Sequence, residues 1–219
     1  TLSYQGTDRC QVDALLVTPA GDGPYPAVIY MHRGNEFKSQ ILDEAILLAG
    51  QGVVTLLPAS AFDTGCDTFG RTQRQGYIDT VLFIRRGVDL LQSLPYVDGD
   101  RLAYVGHSFG ATWGGVVAGV EPRIHSFVLM AGIVSISRYE AVGMSELDAA
   151  NYIGEAVNTE FLFQYSYTDE YISQSNANIY VTLTPGEPTV LWYDSTHEDL
   201  QFDGQDDRVA WLLEQFSIE

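Results

Sequence analysis

The stretch that most constrains this chain is 102–115, reading LAYVGHSFGATWGG. Leu102, Ala103, Tyr104 and Val105 form a short apolar run that fits a fully buried strand. Gly106-His107-Ser108-Phe109-Gly110 follows at once, and a helix-compatible segment runs on from Ala111 to about Gly119. A Gly-x-Ser-x-Gly at a strand-to-helix junction holds its serine in a strained turn, with the hydroxyl above the sheet and the backbone N–H facing a helix start. A side chain at Gly106 or Gly110 would collide with the strand or the helix. The small residues Ala111, Gly114 and Gly115 let that helix lie close to the sheet. The pentapeptide alone is only moderately specific, and its strand-then-helix context is what gives it weight.

The rest of the chain alternates so as to place this junction inside a parallel sheet. Strands are predicted over 10–19 (CQVDALLVTP), 26–31 (PAVIYM), 53–57, 124–130, 161–165 and 189–193. The unbroken hydrophobicity of 26–31 argues burial on both faces. Helical spacing marks 36–49, 76–94 and 208–216, while 135–158 reads as an irregular helical segment able to form a small cap. Val97-Asp98-Gly99-Asp100 is expected to turn the chain into the 102–105 strand, and 59–72 to be a loop. The expected fold is α/β: one domain over 1–219, with a doubly wound, mostly parallel sheet and helices on both faces. Ligands in such sheets bind at the carboxyl ends of the strands.

With 219 residues, 46% hydrophobic and 18% charged, the composition is that of a single globular domain. No apolar run is long enough to cross a bilayer; 42–57 comes nearest and is broken by Asp43, Glu44 and Gln51. The chain carries 29 acids against 11 bases, a net charge of −18, and Lys38 is its only lysine. Such a surface repels nucleic acid and anionic membranes, so neither is expected as a partner. The acid excess reads first as a solvated surface and also suits a high-salt habitat. Four histidines and two cysteines argue against a zinc site, and no metal or organic cofactor is expected.

A serine nucleophile needs a base, and that base is nearly always histidine. His107 adjoins Ser108, and its side chain must diverge from the serine's. His32 lies in the loop after the 26–31 strand, and His125 begins a strand on the wrong edge of the sheet. His197 alone follows the last strand at the expected catalytic edge. The acid that orients it should follow an earlier strand. Asp169 in Ser166-Tyr167-Thr168-Asp169-Glu170 fits, with Glu170 its nearest competitor. Asp194, Glu198 and Asp199 share the loop of His197, where a fixed buried pair is harder to form.

The order Ser108…Asp169…His197 is that of the α/β-hydrolase fold. Through VIYMHRG, YVGHSFG, FLFQYSYTDEYIS and VLWYDSTHEDL the chain resembles α/β hydrolases of the dienelactone-hydrolase-like group over nearly its whole length. The resemblance implies Ser108 as nucleophile, His197 as general base and Asp169 as its orienter. The implied oxyanion hole uses the N–H of Phe109 and that of Gly34, with Arg33 the alternative. Two departures stand out. A serine replaces the cysteine of true dienelactone hydrolases, which points to the esterase branch, and Arg33 replaces a glycine. That arginine either contacts an acidic substrate group or pairs with a surface acid.

The implied activity is hydrolysis of small carboxylic esters, with amides, thioesters or peptides as alternative targets and a catalytically silent binding protein as the alternative class. In the fold this chain resembles, the 10–19 strand runs antiparallel beside 53–57, which allows but does not force a disulfide between Cys10 and Cys66, two unrelated free thiols being the default alternative. That bond would indicate a secreted or periplasmic protein, and two free thiols a cytoplasmic one.

Overall fold

The computed structural model describes residues 1–8, 10–34, 41–64, 73–138 and 144–218. Eight strands form one sheet: β1 (Leu2–Thr7), β2 (Cys10–Val17), β3 (Tyr25–Met31), β4 (Val54–Pro58), β5 (Val97–His107), β6 (Ser126–Met130), β7 (Glu160–Ser166) and β8 (Thr189–Tyr193). Their spatial order is β1-β2-β4-β3-β5-β6-β7-β8. β2 pairs antiparallel with both β1 and β4, and every other pairing is parallel. The central strands are apolar without alternation because both their faces are covered: β4 and β6 are buried throughout, and β3 at all but its first residue. β1 and β2 alternate buried and exposed residues, as expected where one face meets water.

The helices are α1 (Leu42–Gly50), α2 (Gln73–Ser93), α3 (Phe109–Val120), α4 (Gln174–Leu183), α5 (Leu200–Asp203) and α6 (Gln205–Gln215). Successive strand residues point to opposite faces, and β3 shows which helices lie where. Ile29 pairs in register with Tyr104, on the side where α2 and α3 pack through Gly87 and Gly114. Tyr30 pairs with Val105, on the opposite side, where its hydroxyl lies 3.4 Å from Glu44 of α1. The fold is therefore the expected doubly wound one. No helix among the described residues is long and apolar enough to cross a membrane.

Several elements differ from the sequence reading. Val97–Asp100 is no turn but the start of β5, with Val97 paired to Tyr25; its side chains are partly exposed there, so no apolar run betrays the strand. β1 was not foreseen, because Gln5, Gly6 and Thr7 dilute the signal; Gly6 sits where an added Cβ would meet Phe83 and Val12. Nor was α4, which buries only Ala177 and Tyr180 and therefore shows little periodicity; Ser173 caps it by accepting a bond from Asn176 N. In 135–158 the described residues form four short 3₁₀ turns rather than a helix, Ile136–Arg138, Ser145–Leu147, Ala149–Asn151 and Ile153–Glu155, while 139–143 lie outside the described residues. The helix expected over 36–49 is described from Leu42 onward, since 35–40 lie outside the described residues, as do 65–72 of the expected 59–72 loop.

One buried ion pair ties α1 to α6 on one face of the sheet. Arg208 of α6 is fully buried and grips Glu44 of α1 bidentately, with Nε 2.8 Å from Oε1 and Nη2 on Oε2; Nη2 also donates to the Gln201 carbonyl. Breaking such a pair on one side leaves a buried charge uncompensated and costs about 3–5 kcal/mol, whereas replacing both partners by apolar groups is close to neutral. Urea unfolding should therefore show Arg208→Met losing stability on that scale, with Glu44→Leu/Arg208→Met recovering most of it.

Candidate active site

β5 delivers the chain to Ser108 at φ 55° and ψ −112°, a left-handed backbone for a residue with a side chain. Such a conformation costs on the order of 1–3 kcal/mol and persists only when its surroundings impose it. Here they do. Ser108 N donates to Met130 O at 2.8 Å, and Ser108 O accepts from Thr112 N at 2.9 Å and from Thr112 Oγ1 at 3.2 Å. A Cβ on Gly106 would overlap the backbone of Gly110, and one on Gly110 would overlap Met31 O and stand 2.9 Å from His32 O. The ends of β3 and β5 and the start of α3 thus touch backbone to backbone.

His197 follows β8 and is fixed from several sides. Its Nδ1–H donates to Asp169 Oδ2 at 2.8 Å, which leaves Nε2 as the ring's acceptor. The Asp169 side chain is 1% exposed, and its Oδ1 accepts the N–H groups of Tyr171 and Ile172, each at 2.8 Å. Glu170 does not compete for the ring; its Oε2 accepts the His197 backbone N–H at 3.3 Å. The chain two residues earlier is tethered too, for Ser195 O accepts from Ser166 Oγ and Thr168 Oγ1, and Ser195 Oγ donates to Asp203 at 2.6 Å. The Tyr171 ring stands edge-on to His197 with centroids 5.0 Å apart.

Ser108 and His197 line one cleft of about 440 Å³, together with Arg33, Gly34 and Phe109. Five of the six predicted site residues therefore meet there, and Asp169 stands behind His197. Gly34 lies against Phe109 so closely that a Cβ would enter its ring. Arg33 pairs at 3.2 Å with Glu198, which also lines the cleft. Thr112, Ala131, Tyr171 and Ile172 complete much of the wall. Nothing in the amino-acid pattern marks Ala131, although its φ of 49° places a second left-handed residue at the cleft.

His32 is buried beneath this edge, its Nδ1–H donating to Arg33 O at 2.6 Å and its Nε2 3.0 Å from Asp63 Oδ2. Burial alone would raise the Asp63 pKa, but hydrogen bonds from His32 and Ser60 prevail and hold it below the ordinary carboxylate value. His125 is exposed beside the start of β6, far from this chemistry. Among the described residues no group of three His, Cys, Asp or Glu side chains could hold a metal ion. β2 runs antiparallel beside β4 as expected, and Cys10 Sγ lies 3.7 Å from Thr64 Oγ1; Cys66 lies outside the described residues.

No protein-family model and no curated protein sequence matches the chain. Many solved structures do. A 2,6-dihydroxy-pseudo-oxynicotine hydrolase superposes with a TM-score of 0.82 at 17% identity, over 96% of this chain and 66% of its own. Est1E from Butyrivibrio proteoclasticus, with ferulic acid bound, gives 0.81 at 16% identity, over 99% and 100%. An acetyl xylan esterase from Paenibacillus sp. R4 gives 0.80 at 19%, over 96% and 81%. This chain has the α/β-hydrolase fold.

Within this fold one polar group makes a contact that the sequence reading did not assign. His107, 1% exposed, donates from Nε2 to the His197 carbonyl at 2.9 Å. Burial above all, then the neighbouring His197, pushes its pKa down to about 3. In the unfolded chain an imidazole titrates near 6.5. Between those values the unfolded state binds a proton that the folded state refuses, so stability falls as pH drops from about 6.5 towards 3, by up to ~1.4 kcal/mol per pH unit. Urea unfolding at pH 7 and pH 4.5 should show the wild type losing about 2–3 kcal/mol more than His107→Gln, which has no such proton to take up.

Proposed function

We propose that this α/β hydrolase is a serine esterase acting on small carboxylic esters through an acyl-enzyme. The observation that carries the reading is the His197–Asp169 hydrogen bond of 2.8 Å at a cleft that also holds Ser108 in its strained turn. In this reading Ser108 Oγ attacks the ester carbonyl while His197 Nε2 takes its proton. Asp169 stabilises the imidazolium that forms and keeps the ring in its Nδ1–H tautomer. The backbone N–H groups of Phe109 and Gly34 hold the oxyanion, each worth about 3–4 kcal/mol at the transition state. His197 then protonates the leaving alcohol, activates water, and the acyl-enzyme is hydrolysed.

A cleft of about 440 Å³, with short 3₁₀ turns and no large lid among the described residues, suits small or short-chain acyl groups. The ester-named neighbours, Est1E and the acetyl xylan esterase, support the same bond type, and the serine supports the esterase branch of the dienelactone-hydrolase-like group. Arg33 is assigned a substrate contact at the cleft edge. Cys10 is assigned to Cys66 as a disulfide partner, which would place the protein in an oxidising compartment.

Ser108→Ala should abolish labelling by a fluorophosphonate and lower p-nitrophenyl acetate hydrolysis by at least about 10³-fold. Labelling that persists in this variant would move the nucleophile elsewhere; a wild type that neither labels nor hydrolyses would favour a silent binding scaffold. The two adjacent acids should separate sharply. Asp169→Asn should lower kcat by about 10³–10⁴-fold, because it loses the imidazolium's counter-charge and favours the wrong tautomer. Glu170→Gln, touching only the His197 peptide, should stay within about tenfold of wild type in the same steady-state assay.

A further inference from the structure

His107 is a buried titratable group that the acyl-transfer scheme leaves idle. It is the last residue of β5 and the neighbour of Ser108. Among the described residues its buried Nδ1 has no hydrogen-bond partner, and its polar contact there is the bond from Nε2 to the His197 carbonyl. Burying an imidazole is costly unless its polar atoms are used, and an aliphatic side chain would fill the same space without that cost. That bond falls on the residue read above as the base.

We infer that His107 is the positioning residue for His197: by holding the His197 carbonyl it ties the peptide beneath the base to the strand that carries Ser108. The inference rests on the serine-esterase reading for its kinetic consequence, though not for its geometry. β5 and β8 are not neighbours, since β6 and β7 lie between them. Three inter-strand steps of ~4.8 Å separate them, about 14 Å of sheet across which small shifts accumulate. The other two holds on His197, Asp169 on the ring and Glu170 on the N–H, both come from the loop after β7. They register His197 to that loop and not to the serine. The bond from His107 spans the gap directly, so a shift of β5 carries nucleophile and base together.

The chemistry of the donor fits the task. A carbonyl acceptor requires the proton on Nε2, which fixes the tautomer. Burial keeps the second proton off, so the donor is unchanged over the working pH range. The two imidazole centroids are 5.2 Å apart, and a neutral neighbour does not oppose the positive charge that His197 acquires during attack. A lysine or arginine at this position would donate equally well and would repel that charge.

Two substitutions isolate the donor. His107→Leu removes it while keeping an apolar filling, and His107→Gln presents an amide N–H at a similar reach. Circular dichroism and thermal melts establish that each is folded; should the leucine variant not fold, His107→Asn, whose amide falls short of the carbonyl, takes its place. A displacement of about 1 Å at reacting groups can cost on the order of 100-fold in rate. His107→Leu is therefore expected to lower kcat for p-nitrophenyl acetate by about 10–100-fold with KM within about twofold, and His107→Gln to return within about threefold of wild type. Proton NMR supplies a second readout, independent of turnover. The downfield Nδ1 proton of the His197–Asp169 bond should persist in wild type and His107→Gln, and broaden or vanish in the donor-less variant. A leucine variant that keeps both kcat and this resonance overturns the inference, as does a glutamine variant impaired as severely as leucine. Should the wild type hydrolyse no ester, the esterase reading fails and the resonance alone decides the role of His107.

Discussion

The active edge depends on one steric constraint: backbone atoms of three segments meet where side chains ordinarily stand. Gly106 packs on Gly110, and Gly110 on the carbonyls of Met31 and His32. Only this contact lets α3 begin at the residue after Ser108, and only there does the turn acquire its left-handed backbone. Everything near the serine inherits that placement. Phe109 is set against Gly34, Thr112 reaches back to the Ser108 carbonyl, and Ile133 N donates to Thr112 Oγ1 at 3.2 Å. The strain at Ser108, a few kcal/mol at most, is small beside the burial of the strands and helix that enforce it.

That constraint is also why so much was legible in sequence. Two glycines flanking a serine, after a four-residue apolar run, admit few structures besides the one observed. The central strands were legible for a related reason: burial on both faces demands continuous hydrophobicity. Legibility failed where burial was partial. β1 and α4 each bury few side chains, and the first residues of β5 are half-exposed, so none left a pattern. The site shows the same division. Ser108 and His197 followed from position and elimination, but Asp169 and Glu170 are adjacent in one loop and equally acidic. What separates them is a turn in which Tyr171 and Ile172 both donate to Asp169, a fact of backbone geometry. Ala131 carried no signal, because nothing in an alanine announces a positive φ. His107 was read only by its neighbour Ser108, yet what it reaches belongs to a loop 90 residues further on.

The chain's strong negative charge stays largely at its surface, and two charged groups taken inside show how such groups are answered. Asp169 is answered by His197 and two peptide N–H groups, and Arg208 by Glu44. His107 is answered differently, by giving up its charge. At the cleft edge the balance is looser. Arg33 is mostly buried at 16% side-chain exposure, but its partner Glu198 is 62% exposed, and a pair with one exposed member is held together by at most about 1 kcal/mol. The field of a chain at −18 repels anions at long range, so an anionic group reaching Arg33 would do so against that field.

The bond between Glu44 and Arg208 joins residues 164 apart, and this has a temporal consequence. Chains emerge from synthesis in order, and contacts between distant residues close late. A nascent chain that has already produced α1, the serine turn and α3 holds Ser108 without His197, and a glutamate whose counter-ion has not yet been made. His197 and Arg208 arrive within eleven residues of each other. Docking of α6, which satisfies the glutamate, therefore coincides with seating of the loop that carries the histidine. The serine turn gains its histidine and Glu44 its buried counter-ion in close succession, so a chain interrupted before residue 208 is left electrostatically unfinished.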